Sequence, residues 1–221
     1  MNSFLDRVKS LAINLKQNQF LMTTFDFGKA IILENDIALL RPLEANDDQF
    51  LMEYAMNEPE IWTYSMVRAN GRENMATYIQ TALQARLDKT EYPFIVYDKR
   101  SDTYIGSTRF YDIQLYHKTL QLGYTWYGKA FQGSGINKHC KYLLLKFAFE
   151  EMKMERVEFR ADARNERSIR AMKSIGCKVE GVLRSHTITS IGERRNSIIL
   201  SILAEEWYKE VKENLKSKLV F

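Results

Sequence analysis

A chain of 221 residues with 45% apolar and 27% charged side chains is long enough to bury a full core as one domain and too apolar and aromatic for a disordered segment. Its net charge of +4 suits an anionic ligand, but no Lys/Arg run interleaves with the aromatic residues, which argues against a nucleic-acid module. Cys140 and Cys177 supply neither a disulfide framework nor a zinc set and are expected as reduced core thiols, in keeping with a cytoplasmic protein.

Residues 1–25 read as an N-terminal extension to a domain at 26–221. Phe4, Val8, Leu11, Ala12 and Leu15 share one helical stripe, which predicts a short amphipathic helix over residues 3–18. Asp6, Arg7 and Lys9 interrupt any secretory apolar centre. No segment reaches the roughly 18 apolar residues of a membrane span, so no membrane partner is expected.

Ile31–Leu33 and Ile37–Leu40 flank the turn Glu34-Asn35-Asp36 and predict a strand with a bend that ends at Pro42. Asn46, Asp47 and Asp48 cap a short helix through Phe50, Leu51 and Tyr54. The segment from Glu58 to Tyr64 reads as a loop or broken helix. Asn70 and Glu73 resemble a capping box for a helix over 71–88, along which Met75, Tyr78, Ile79, Ala82, Leu83 and Leu87 recur at helical spacing. Phe94–Tyr97, Tyr104–Phe110 and Leu120–Trp126, joined by polar turns, predict an antiparallel meander.

A helix then opens after a glycine-bearing loop, with Ile136, Cys140, Leu143, Leu144, Phe147 and Met152 on its apolar face. Arg156–Ala161 is a strand, Asn165–Ile175 a helix capped by Gly176, and Val179–Leu183 and Ser197–Leu203 two strands, before a closing helix from Ala204. The order predicts one α/β (α+β) domain, a mixed, mostly antiparallel sheet flanked by helices.

The loop Gln132-Gly133-Ser134-Gly135-Ile136-Asn137 has the physical make-up of an anion site. Free N–H groups at a helix start point outward, the helix dipole adds positive charge, and glycine permits close approach and positive φ. Lys129 and Lys138 stand nearby for further attraction. A plain tight turn remains the alternative on these residues alone. The Gly-Lys-Ser/Thr ending of a P-loop is absent.

From Leu122 to Arg184 the chain resembles the core of the GNAT superfamily of N-acetyltransferases. In that family a Gln/Arg-x-x-Gly-x-Gly/Ala loop holds the coenzyme A pyrophosphate, and Gln132, Gly135 and Asn137 stand at its positions, Asn137 departing from the usual small residue. Asn165-Glu166-Arg167-Ser168 and Ile175-Gly176-Cys177-Lys178-Val179-Glu180-Gly181 are similar to the Asn-x-x-Ser and Leu-Gly-Phe-x-x-Glu-Gly pattern of the ribosomal-protein alanine acetyltransferase branch.

The resemblance implies acetyl-CoA as acetyl donor and an acceptor amine on a protein N-terminus or a small molecule, in a monomer or homodimer; no His/Cys/carboxylate cluster has metal spacing, so no metal is expected, and the charge pattern predicts no nucleic-acid partner. The resemblance also implies that Gln132, Gly133, Ser134, Gly135, Ile136, Asn137 and Lys138 hold the phosphates. Tyr124 and Trp126, on a splayed strand, would lie along the pantetheine, as would Asn165. Ser168 would lie near the sulfur as an acid. The family's base position on a later strand falls at Thr187, with His186 beside it as the candidate that titrates in range; strand alternation leaves open whether His186 faces the site. A second family acid position is Gln121, and the family's tyrosine falls at Met172. His117 and His139 read as turn and helix-surface residues. Substrate choice is expected from Glu58, Glu60, Trp62, Tyr64 and the loop bearing Glu193. An acyl-CoA sensor without turnover is the competing reading.

Overall fold

Polar turns separate the apolar strands between residues 92 and 127, so each strand finds its partner in the next one along the chain. In the computed structural model, which describes residues 25–219, β1 (Leu33–Glu34) and β2 (Ala38–Pro42) form the first hairpin. Asn35 holds its turn, its Oδ1 accepting from the N–H groups of Ile37 and Ala38 at 3.0 and 2.9 Å. After α1 (Asp48–Asn57) and α2 (Arg72–Leu87) come β3 (Tyr92–Asp98), β4 (Thr103–Gln114) and β5 (Thr119–Tyr127), each antiparallel to the last.

Helix α3 (Ile136–Lys146) then crosses over, so β6 (Arg156–Asp162) adds parallel to β5. Helix α4 (Glu166–Ser174) precedes β7 (Lys178–Ile188) and β8 (Arg194–Leu203). β8, not β7, lies against β6, giving one eight-stranded sheet in the order β1-β2-β3-β4-β5-β6-β8-β7 among the described residues. The chain closes with α5, built from Ala204–Glu206, a π-type stretch Trp207–Val211, and Lys212–Lys216.

Strand alternation sorts the core into two layers. Phe94 and Val96 pack with Leu144, Phe149 and Trp207 of the α3 and α5 side, whereas Ile95 between them joins Leu51, Tyr78 and Ile79 of α1 and α2. Cys140 and Cys177 are both free and buried.

Two local expectations are corrected. The capping box at Asn70 and Glu73 does not form: Gly71, at φ +85°, is the N-cap of α2 and carries no side-chain cap. That positive φ turns the chain between Asn70 and the helix, and Asn70 instead accepts at its backbone carbonyl from Asn74 Nδ2 at 2.7 Å. His139 is buried, not on the helix surface, because α3 packs against the first hairpin, where Asn35 Nδ2 donates to His139 Nδ1 at 3.1 Å. The helix expected over residues 3–18 lies outside the described residues.

Candidate functional site

The parallel pairing of β5 and β6 is short. It ties Thr119, Leu120 and Gln121 to Arg156, Val157 and Glu158, and no rung joins the two strands beyond. From there β5 keeps to β4 and β6 to β8. The sheet opens into a cleft of about 280 Å³, with Leu122–Tyr127 on one wall and Phe159–Asp162 on the other.

The β5 wall carries a bulge. Ser107 pairs with Trp126 and Arg109 with Gly123, so Tyr124 and Thr125 stand opposite Thr108 alone, and Tyr124 takes φ +50°. A buried cation braces this irregular backbone. The Arg109 guanidinium, 3% exposed, lies 4.2 Å from the Tyr124 ring centroid and 4.8 Å from that of Tyr78, and it pairs with Glu91 at 2.7 Å. Beneath the bulge, Thr125 Oγ1 lies 2.7 Å from Thr108 Oγ1 and accepts from Lys141 Nζ at 2.8 Å. Lys141 projects from α3, is 5% exposed and lines the cleft; burial lowers its pKa to about 8.

At the mouth, Gly133 and Gly135 have φ +81° and +90°, and a Cβ on either would meet no atom within 4 Å. The backbone there is bare, and α3 starts at Ile136 without a side-chain cap, which leaves N–H donors for an anion. This donor set fits a pyrophosphate. Gln132 Nε2 donates to the Tyr127 carbonyl at 2.9 Å, while its Oε1 accepts from Arg167. Asn137 accepts from Tyr127 Oη at 3.2 Å, so the residue that departs from the family pattern braces the loop. Ser134 Oγ donates to the Phe131 carbonyl at 2.7 Å. Ile136 is a core residue, and Lys138 is half-buried outside the cleft lining. Lys129 also lies outside it, ion-paired to Glu60 with its N–H donating to Glu58 at 2.8 Å.

Helix α4 brings Asn165, Arg167, Ser168 and Met172 to the cleft. Asn165 is its N-cap, Oδ1 accepting from the Ser168 N–H at 3.1 Å, and the Ser168 hydroxyl makes no hydrogen bond among the described residues. Tyr124, Trp126, Gln132, Gly133 and Asn137 line the same cavity. Gln121 does not; it donates to Asp112 at 2.7 Å.

His186 is not brought to the cleft. β7 carries extra residues opposite β8 between Leu183 and Thr187, and Ser185 takes φ +50°. The resulting turn leaves His186 exposed with Nδ1 3.2 Å from Ser197 Oγ. Thr187 is likewise absent from the lining.

Of the expected selectivity residues, Trp62 and Tyr64 line the cavity. Glu58, Glu60 and Glu193 do not, since the first two hold Lys129 and the third pairs with Arg164 at 3.2 Å. The lining carboxylate is Asp162. Burial pushes its pKa up, but the Arg164 side chain and N–H outweigh that and hold it below the usual range.

Lys141, Arg109 and Arg195 escaped the sequence reading. A signal existed for Lys141, which falls in helical register with Leu144, Leu145 and Ala148, all buried. Among the described residues no group of His, Cys, Asp and Glu is placed to hold a metal ion, and no helix is long and apolar enough to cross a membrane.

Residues 38–178 match the family described as "Acetyltransferase (GNAT) domain". The chain is 29% identical over 161 residues to "Probable N-acetyltransferase YjcK" of Bacillus subtilis (strain 168), covering 70% of this chain and 88% of that protein. The provisionally named ribosomal N-acetyltransferase YdaF of the same organism is 26% identical over 182 residues, covering 80% of this chain and 96% of YdaF. A crystal structure from T. thermophilus, provisionally described as an acetyltransferase, superposes with TM-score 0.79 at 30% identity, covering 89% of this chain and all of that one.

Proposed function

This chain belongs to the acetyltransferase (GNAT) family, and we propose that it transfers the acetyl group of acetyl-CoA directly to the N-terminal amine of a protein. The observation that carries the reading is the wedge between β5 and β6, with an uncapped helix start at its mouth and a bulged strand along its wall.

The N–H groups of Gly133, Gly135 and Asn137, with Arg167 beside them, would hold the pyrophosphate by dipole and charge. Backbone donors at the Tyr124–Trp126 bulge and the Asn165 amide would orient the pantetheine and polarise the thioester carbonyl. Acetyl-CoA supplies an acyl group activated as a thioester. The Ser168 hydroxyl, free of protein partners among the described residues, would pass a proton to the departing sulfur and regain one from the amine nitrogen, which sheds it as the C–N bond forms and the C–S bond breaks. Holding both reactants in one cleft contributes through proximity.

The acceptor follows from proton transfer. Asp162, held by Arg164 and depressed in pKa, is a poor proton acceptor. A cleft with such a carboxylate favours an amine that is already largely neutral. An α-amine, with a pKa near 8, meets that need far better than a lysine side chain near 10.4. The name given to YdaF assigns that relative a ribosomal acceptor, which supports a protein as the acceptor class here.

Thiol release from acetyl-CoA, measured with peptides bearing a free N-terminus and with N-blocked peptides bearing lysine, tests the proposal. Release with the first set supports it. Release with the second set alone replaces it with a side-chain acetyltransferase, and acetyl-CoA binding without release on either set or on small amines removes the transfer reading.

A further inference from the structure

The basic side chains in and behind the cleft wall are not equally satisfied. Arg160 Nε donates to Glu158 at 2.6 Å. Arg109, whose Nε has no partner, is still neutralised by Glu91 at 2.7 Å and covered by two rings. Arg195, on β8, has no such compensation. It is 6% exposed and lines the cleft, its hydrogen bond is a long one of 3.4 Å from a terminal nitrogen to the Tyr64 carbonyl, and its Nε has no partner. It has no ion pair among the described residues. The carboxylate whose charge it feels, Asp162, already accepts three hydrogen bonds from Arg164.

A guanidinium out of water with spare donors is costly until a ligand supplies an acceptor. Its position says which ligand. Its charge acts on the hydroxyls of Tyr124 at the bulge and of Tyr111. Tyr111 also lines the cleft, with its hydroxyl unbonded among the described residues. Arg195 donates to the Tyr64 carbonyl and makes no hydrogen bond to the glycine loop, which argues for the acceptor rather than the pyrophosphate as its ligand. A planar five-donor fork of this kind matches a carboxylate.

We propose that Arg195 is a subsite for a carboxylate carried by the acceptor beside its reactive amine. The proposal rests on the amine-acetylation reading above. Two sources present the same chemistry: an acidic side chain near the start of a protein N-terminus, and the carboxylate of a free α-amino acid.

The test compares acceptors that differ in one group: N-terminal peptides with Asp or Asn at the second position, and free alanine against alaninamide. Wild-type protein is expected to favour the carboxylate form by about tenfold or more in kcat/KM, mainly through KM. In Arg195→Gln that ratio falls to near one, and Arg195→Lys recovers part of it. Acetyl-CoA affinity, read by calorimetry, stays unchanged in both variants and shows that they are folded. A preference confined to the peptides identifies an acidic N-terminus, and one confined to alanine identifies an amino acid. Equal use of both forms by the wild type, or a preference that survives in Arg195→Gln, overturns the subsite.

If no amine is acetylated, the transfer reading fails by itself. The subsite is then read by calorimetry with N-acetylalanine and N-acetylalaninamide in the presence of coenzyme A. Arg195-dependent selectivity for the carboxylate upholds it, and equal binding overturns it.

Discussion

Lys141 Nζ donates a 2.8 Å hydrogen bond to Thr125 Oγ1, tying the helix behind the glycine loop to the bulge of the opposite wall. Two lining residues of the cleft are thus joined directly, and the tie is made by an amine that burial has pushed to a pKa of about 8.

That burial makes stability depend on pH. The unfolded lysine keeps a pKa of 10.5 and the folded one about 8, so between those values the unfolded chain binds more protons. Stability therefore rises with pH across the window, by up to about 3 kcal/mol from this group. Urea midpoints measured from pH 7.5 to 10 should climb for the wild type relative to Lys141→Met. Parallel curves for the two proteins would show that Lys141 is solvated.

Ser168→Ala removes the hydroxyl that lies free near the cleft and leaves the helix cap on Asn165 intact. Turnover should fall about 100-fold with acetyl-CoA affinity and melting temperature unchanged. Asn165→Ala should behave differently, costing about 1 kcal/mol of stability through the lost cap, together with acetyl-CoA affinity. Kinetics and thermal melts on the pair separate acid from scaffold.

Gly135 sits at φ +90° with no atom within 4 Å of a Cβ. Gly135→Ala therefore introduces backbone strain without a clash, about 1 kcal/mol. The same strain turns the first N–H groups of α3, so calorimetry should show weaker acetyl-CoA binding. What binding remains should lean on the charge of Arg167 and so fall more steeply with added salt. Unchanged affinity would remove the loop from the phosphate site.

Glu91→Gln leaves the Arg109 guanidinium buried without its carboxylate. Breaking such a pair costs about 3–5 kcal/mol, while replacing both members with apolar residues restores much of it. Urea unfolding of Glu91→Gln and of the double variant Glu91→Met with Arg109→Met gives the two values. The double variant should still lose turnover, because Tyr124 loses the cation that braces its ring.

Much of the fold was legible because its signals are local. The meander from Tyr92 to Tyr127, the helix after Gly135, the helix start at Asn165 and the stop at Gly176 each depend on residues within one turn or one strand. The glycine loop was legible for the same reason, including the positive φ expected at its glycines. Local pattern misjudged Asn70, where one positive φ at Gly71 moved the cap, and His139, whose burial comes from the distant Asn35.

What the sequence determined by itself was therefore the order of elements, the glycine-bearing start of α3 and the family these motifs resemble. The tertiary structure alone decided how the cleft is furnished. Lys141 meets Thr125 across 16 positions, Arg109 meets Glu91 across 18, and Arg195 reaches Tyr64 across 131. It also decided that His186 turns outward and that Glu58 and Glu60 clamp Lys129 instead of facing a substrate. The physical reason is that periodicity reports which face of an element is apolar, whereas the charge state and partner of a buried polar group depend on which elements the sheet brings together.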